Sequence, residues 1–181
     1  MIILASESPR RRELIKKITS DFAVIPANID ESILHIPACD LPGELSKLKA
    51  YDVFAKYPND TILACDTVVI LDGEVMGKPH TKEKASEMLH KLSGKKHVVI
   101  SGYTFISKEK EITRTVRTYV YFNKLSDELI DKYIASGSPM DKAGAYGIQD
   151  KEFDLVNHIE GSLDNVIGLP VEDIRKHCFE K

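Results

Sequence analysis

Ile2-Ile3-Leu4-Ala5-Ser6-Glu7-Ser8-Pro9-Arg10-Arg11-Arg12-Glu13-Leu14 opens the chain as a strand running into a helix. The first three residues form a short apolar run of the buried-strand type. Ser8 stands where a helix N-cap belongs, and Pro9 takes the first helical position, where its missing N–H is no loss. Leu14, Ile15 and Ile18 give the helix an apolar stripe. Arg10, Arg11 and Arg12 crowd the first turn, at the positive end of the helix dipole, where each cation is destabilising by roughly 0.3–1 kcal/mol. Free backbone N–H groups, two small hydroxyls and an arginine cluster suit a docked anion, with phosphate the natural candidate. A solvated, mildly frustrated basic turn is the other reading of the same residues. Both stand at this point.

The second informative stretch is Thr61–Leu71, whose near-continuous apolar run predicts a strand buried on both faces. Asp66 lies in its middle. A carboxylate there is costly unless paired, hydrogen-bonded or metal-bound, which makes Asp66 a better functional candidate than any other acid in the chain. A structural aspartate satisfied by backbone donors at a bulge is the alternative. Cys65 beside it reads as a small core residue, since nothing nearby supplies an activating base.

Around these two stretches the elements alternate. Phe22 to Ile25 predicts a strand stopped by Pro26, and Asn28 to Ser32 a polar loop with Asp30 and Glu31 adjacent. Pro42 opens a helix to about Lys56, on which Lys49 reads as a solvated lysine. Asp72-Gly73 is a hairpin-type turn leading to Gly77-Lys78-Pro79, where Lys78 could reach a phosphate as a point charge or equally be an exposed loop lysine. Thr81 caps a helix ending near Gly94. Two strands follow, Lys96 to Ser107 and Thr113 to Phe122, then a helix from Asp127 to Ala135 capped by Ser126. The loop from Pro139 to Asp150 needs special backbone geometry and carries polar groups able to read a ligand. Phe153 to Ile159 predicts a strand, Ser162 to Gly168 a short helix or turn, and Pro170 a last helix.

With 181 residues, the chain suits a single domain, with or without two lobes, and a sizeable core. A net charge of -3 provides no basic field for extended nucleic-acid binding. No apolar run approaches a membrane span, and the first residues lack a signal-peptide pattern, so a cytoplasmic location is expected. Cys39, Cys65 and Cys178 form no metal-ligand pattern and read as free thiols.

Taken together, the segments resemble the Maf family of nucleoside triphosphate pyrophosphatases, over almost the whole chain. The resemblance rests on five marks in order: Leu4-Ala5-Ser6-Glu7-Ser8-Pro9-Arg10-Arg11, Ala64-Cys65-Asp66-Thr67-Val68-Val69, Gly77-Lys78-Pro79, Asp141-Lys142-Ala143-Gly144-Ala145-Tyr146-Gly147-Ile148-Gln149, and Asn165-Val166-Ile167-Gly168-Leu169-Pro170. It implies an α/β (mixed α+β) fold like that of the inosine triphosphate pyrophosphatases, with a twisted mixed sheet and flanking helices forming two lobes around a cleft. It also implies hydrolysis of a nucleoside triphosphate to the monophosphate and pyrophosphate, with Asp66 as general base. Arg10, Thr67 and Gln149 match positions linked to substrate choice, and Ser6, Arg11, Glu31, Lys49 and Lys78 match polar positions lining the cleft. The wording of the fourth mark resembles the dTTP and UTP branch rather than the 7-methyl-GTP branch. A homodimer is implied by resemblance alone. Two departures stand out. Asp150 follows Gln149 where the family usually has Gly, and Cys65 precedes Asp66 where Ala or Gly is common.

The residue types fit that chemistry. Cleavage between α- and β-phosphates needs an aligned water, a base or metal to deprotonate it, and cations to neutralise the leaving pyrophosphate. Glu31 and Asp66 are hard oxygen ligands suited to Mg²⁺ or Mn²⁺. Arg10, Arg11, Lys49 and Lys78 supply the cations. Asp66 could take the proton itself or hold the metal that acidifies the water. A nucleotide-binding regulator of cell division, with little turnover, is the competing class. Such a binder would need the cations but not the buried acid.

Overall fold

The computed structural model describes residues 1–180. Strand β1 (Ile2–Leu4) leads into helix α1 (Pro9–Ile15), which starts where Ser8 Oγ accepts the Arg11 N–H at 3.3 Å. The chain continues through β2 (Phe22–Val24), a 3₁₀ turn (Glu31–Ile33), α2 (Leu41–Lys56), β3 (Thr61–Leu71), β4 (Glu74–Met76) and α3 (Lys82–Leu92). Then come β5 (Lys96–Ile106), β6 (Glu111–Phe122), α4 (Asp127–Ala135), β7 (Val156–Glu160), α5 (Leu163–Ile167) and α6 (Val171–Ile174), the last followed by a π-turn over Arg175–Phe179. Thr81 and Ser126 cap α3 and α4 with their hydroxyls, as their sequence positions predict. Among the described residues, the strands run in the order β2-β1-β3-β5-β6-β7, with β4 on β3. β1 is parallel to both β2 and β3, whereas β4 and β7 are antiparallel to their partners, so the sheet is mixed. The mixed α/β architecture with flanking helices is the one expected.

The predicted strand from Phe153 to Ile159 begins later than its apolar residues suggest. Lys151–Phe153 forms a 3₁₀ turn, and Asp154 takes a left-handed φ of 50°, which no strand accommodates. β7 therefore starts at Val156. No helix among the described residues is long and apolar enough to cross a membrane.

The chain divides into two compact units, each assembled from separate segments. One comprises residues 1–67, 100–116 and 164–180, and the other residues 68–99 and 117–163.

In the first unit, the two-residue period of β1 and β3 sorts side chains onto two faces. Ile3, Ala5, Ile62 and Ala64 pack with Ala50 and Val53 of α2. Leu4, Leu63 and Cys65 pack on the other face with Leu14 and Ile15 of α1 and Val171 and Ile174 of α6. Cys65 is wholly enclosed, and burial pushes its thiol pKa up, so it is a core residue. Helix α2 is seated by hydroxyls and by a glycine. Ser46 Oγ donates to Gly43 O at 2.7 Å and pairs with Thr104 Oγ1 of β5 at 2.8 Å, which in turn meets Thr113 Oγ1 of β6 at 2.9 Å. A Cβ at Gly102 would lie only 2.3 Å from Gly43 N and from Pro42 C, so β5 admits the start of α2 only because residue 102 has no side chain. Lys49 sits one turn further along the same helix.

In the second unit, α3 and α4 bury Ala85, Met88, Leu89, Leu92, Ile130, Tyr133 and Ile134. His97, Phe122 and Tyr146 form an edge-to-face trio, with ring centroids 4.8–5.3 Å apart.

Gly102→Ala is expected to unseat α2 against backbone that cannot yield. The stability loss in urea or thermal unfolding should reach or exceed the ~1–3 kcal/mol of an overpacked core. An unchanged unfolding midpoint would contradict this seating.

Candidate active site

The alternation that builds the first unit also divides its polar residues. Asp66 follows Ala64 onto the α2 face of β3, and Thr67 follows Cys65 onto the α1 and α6 face. Because β1 and β3 are parallel, with Leu4 opposite Leu63, Asp66 and Thr67 in the middle of β3 lie near Ser6, just beyond the carboxyl end of β1. That is where open α/β sheets bind their ligands.

On the α2 face, Lys49 Nζ lies 2.9 Å from Asp66 Oδ1 and 2.9 Å from Glu31 Oε1. Glu31 is brought there by the 3₁₀ turn, which Asp30 caps by accepting the Ser32 N–H at 3.0 Å and its hydroxyl at 2.6 Å. The Lys49 side chain is 14% exposed and that of Asp66 13%, against 54% for Glu31. Lys49 is thus a largely enclosed ammonium, not the solvated lysine that its helix position suggests. Burial alone would lower its pKa. The charges and hydrogen bonds of Asp66 and Glu31 outweigh burial and raise it, so Lys49 is a cation at neutral pH.

On the other face, Arg11 is bound on three sides. Its Nε donates to Gly168 O at 2.7 Å, Nη2 to Thr67 Oγ1 at 3.0 Å and Nη1 to Ser6 Oγ at 3.4 Å. Ser6 Oγ also accepts the Ser8 N–H at 3.2 Å, and Thr67 Oγ1 meets Ser101 Oγ at 2.8 Å. Ser6, Arg11 and Thr67 therefore form one network, which ties the opening turn to the Gly168 loop. Arg12 is exposed, and Arg10 is half-buried. Among the described residues, Arg10 has no ion-pair partner.

The remaining sequence candidates, Lys78 and Gln149, belong to the second unit. Both are exposed, and neither side chain bonds to another described residue. Gln149 follows a strained stretch in which Gly144 and Ala145 both have left-handed φ angles, 72° and 62°. Tyr146 next to them is buried, with its OH 2.7 Å from His97 Nε2.

Sequence reading missed Ser101, the Gly168 carbonyl, Gly102 and His97. The one available signal was Gly102, a glycine inside a β-branched and aromatic strand, which marks a close backbone approach. The other contacts join residues far apart in sequence.

Among the described residues, no group of three or more His, Cys, Asp or Glu side chains is arranged to hold a metal. Glu31 and Asp66 provide two hard oxygens, with an ammonium bridging them. That donor set suits a cation completed by phosphate oxygens and water, as Mg²⁺ commonly is, rather than a metal caged by protein alone.

The fold is that of a mixed α/β protein, with the acid–lysine–acid cluster set between β3 and α2. More specifically, the chain belongs to the Maf family, whose model, described as Maf-like protein, matches residues 1–180. It is 47% identical over 171 residues to a dTTP/UTP pyrophosphatase of Pyrococcus furiosus, covering 94% of this chain and 90% of that one. It is 49% identical over 173 residues to a dTTP/UTP pyrophosphatase of Thermosipho africanus, covering 96% and 89%. Identity to the Carboxydothermus hydrogenoformans protein of the same name is 46% over 181 residues, covering 99% and 97%. Among solved structures, the Staphylococcus aureus Ham1 protein is similar with a TM-score of 0.48 at 20% identity, over 70% of this chain and 72% of that one. A nucleoside-triphosphatase / dITP/XTP pyrophosphatase from Mycobacterium abscessus is similar with a TM-score of 0.46 at 15% identity, over 68% and 75%.

Two expectations follow. Arg11→Ala removes charge-assisted bonds that hold the turn to the Gly168 loop. It should cost about 1–3 kcal/mol of apo stability, whereas Arg10→Ala should stay within about 0.5 kcal/mol. Denaturant melts of both variants without nucleotide check this, and equal effects would contradict it. For His97, burial lowers the pKa from 6.5 to about 4. The unfolded chain takes up this proton near pH 6.5 and the folded chain does not. The stability due to neutral His97 is therefore intact above pH 6.5 and declines as pH falls towards 4. His97→Gln should flatten the pH dependence of unfolding free energy in that window, and an unaltered slope would contradict the assignment.

Proposed function

We propose that this chain hydrolyses dTTP, UTP and related, including modified, pyrimidine nucleoside triphosphates to the monophosphate and pyrophosphate. The observation that carries the reading is the enclosed Asp66 carboxylate in the middle of β3, held by Lys49, which Glu31 also binds, in a family whose similar members bear the name dTTP/UTP pyrophosphatase. A chain that only bound nucleotide would gain nothing from an acid kept there at a desolvation cost.

In the proposed reaction, water attacks the α-phosphorus, and the bond from that phosphorus to the oxygen bridging to the β-phosphate breaks. Asp66 Oδ receives the proton of the attacking water, and pyrophosphate leaves with the bridging oxygen. Lys49 fixes the Asp66 carboxylate and provides positive charge near the developing oxyanion. Arg10, without an ion-pair partner among the described residues, takes a phosphate directly. Ser6, Arg11 and Thr67 act through the network that shapes the turn. Lys78 and Gln149 are assigned to phosphate and base by their places in the family's pattern. An amide suits a pyrimidine's carbonyl and imide N–H.

A divalent metal, Mg²⁺ or Mn²⁺, would be held by Glu31 and Asp66 and would supply charge neutralisation and a more acidic water. We assign the protein to the cytoplasm, as a homodimer by resemblance, with no nucleic-acid or membrane partner.

Pyrophosphate release should be measured over a nucleotide panel with Mg²⁺ and with Mn²⁺. dTTP and UTP should lead, chelation should abolish turnover, and Asp66→Asn should lower kcat by about 10²–10⁴-fold while nucleotide still binds. Nucleotide binding without pyrophosphate release from the wild type would overturn the reading in favour of a regulator.

A further inference from the structure

The loop that carries Gln149 is braced by a set of buried and half-buried groups outside the candidate catalytic centre. Tyr133, on α4, is fully buried, and its hydroxyl works in two directions. It accepts the Gly147 N–H at 2.9 Å and donates to Asp150 Oδ2 at 2.6 Å. The same carboxylate oxygen accepts the Ser138 hydroxyl at 2.5 Å. Lys142 Nζ donates to Ser138 O at 2.6 Å and to Ser138 Oγ at 3.1 Å. Asp150 N donates to Gly147 O at 3.0 Å, closing a tight turn whose third residue is Gln149. One phenol thus grips both ends of the four-residue turn, and the side chain left exposed and unbonded within it is Gln149.

The Lys142 and Asp150 side chains pack closely on Gly147. A Cβ at Gly147 would lie 2.9 Å from Lys142 Cε and 3.0 Å from Asp150 Oδ2. Asp150 stands where the family usually has Gly. Its carboxylate is not a loose charge beside the loop but the acceptor on which two hydroxyls converge.

We propose that Tyr133 and Asp150 are positioning residues for nucleobase selection, fixing the turn that presents the Gln149 amide. This rests on the reading of Gln149 as the base contact under the proposed function. An amide discriminates thymine or uracil from cytosine only if its carbonyl and amino ends are held in register with the base, because cytosine offers the reversed donor and acceptor pattern on the same edge. A turn free to pivot would let the amide follow either pattern. The consequence falls on base choice rather than on phosphate handling, which is assigned to other segments of the chain.

The test compares kcat/KM for dTTP and dCTP in the wild type, Tyr133→Phe, Asp150→Ala and Asp150→Asn, together with inhibition by inorganic pyrophosphate. Tyr133→Phe and Asp150→Ala should lower the dTTP-to-dCTP ratio by about fivefold to tenfold, the size of a lost oriented hydrogen bond. Most of the change should appear in KM for dTTP, with the pyrophosphate inhibition constant unchanged within about twofold. Asp150→Asn keeps an oxygen acceptor for the hydroxyls and should retain most of the wild-type ratio. Should Tyr133→Phe fail to fold, the Asp150 pair decides alone. A ratio in Asp150→Ala like that of the wild type, or an Asp150→Asn loss equal to that of Asp150→Ala, overturns the positioning role and leaves the proposed function standing. A wild type with no preference for dTTP over dCTP overturns the base reading itself, and the positioning role with it.

Discussion

The contact on which the candidate site depends is the Lys49 ammonium held between Asp66 and Glu31, 2.9 Å from each. An aspartate in the middle of an otherwise apolar strand is expensive to bury, and so is a lysine on the inner face of a helix. Each makes the other tolerable, and removing either would leave an uncompensated charge. The pairing also fixes geometry. It locks α2 to the middle of β3 and draws the 3₁₀ turn at Glu31 onto the helix. Much of the first unit can be read as scaffolding for this contact: Gly102 lets α2 come close, and the Ser46, Thr104 and Thr113 hydroxyls hold it.

The strand period imposes a second constraint. Asp66 and Thr67 are neighbours in sequence yet point to opposite faces of β3, so the acid and the arginine turn do not share one surface. The opening turn, with three arginines against the helix dipole, is correspondingly heterogeneous. Arg11 is a structural tie to the Gly168 carbonyl, Arg12 faces solvent, and the half-buried Arg10 has no ion-pair partner among the described residues.

Much of this was legible from local signals. Ser8, Thr81 and Ser126 announce helix starts through hydroxyls that can only satisfy orphan N–H groups there. The run from Thr61 to Leu71 announces a doubly covered strand, and Asp66 stands out because nothing else in that run is charged. What could not be read depends on distance along the chain. Lys49 looks like any surface lysine until Asp66 and Glu31 are brought beside it. Arg11 looks like a free phosphate ligand until Gly168, 157 residues away, is folded onto it. The late start of β7 follows from the left-handed Asp154, a conformation no apolar pattern reports. Asp150 stands out in the sequence only as a departure from the family's usual Gly, because its partners, Tyr133 and Ser138, lie 17 and 12 residues away along the chain.

In the proposed reaction, water, with its proton passed to Asp66, attacks the α-phosphorus of a pyrimidine nucleoside triphosphate. The most direct measurement is hydrolysis of dTTP in ¹⁸O-labelled water, with the position of the label read by mass spectrometry. Label in the thymidine monophosphate, with unlabelled pyrophosphate, is the predicted result. Label in the pyrophosphate, or release of labelled inorganic phosphate with dTDP, would contradict it.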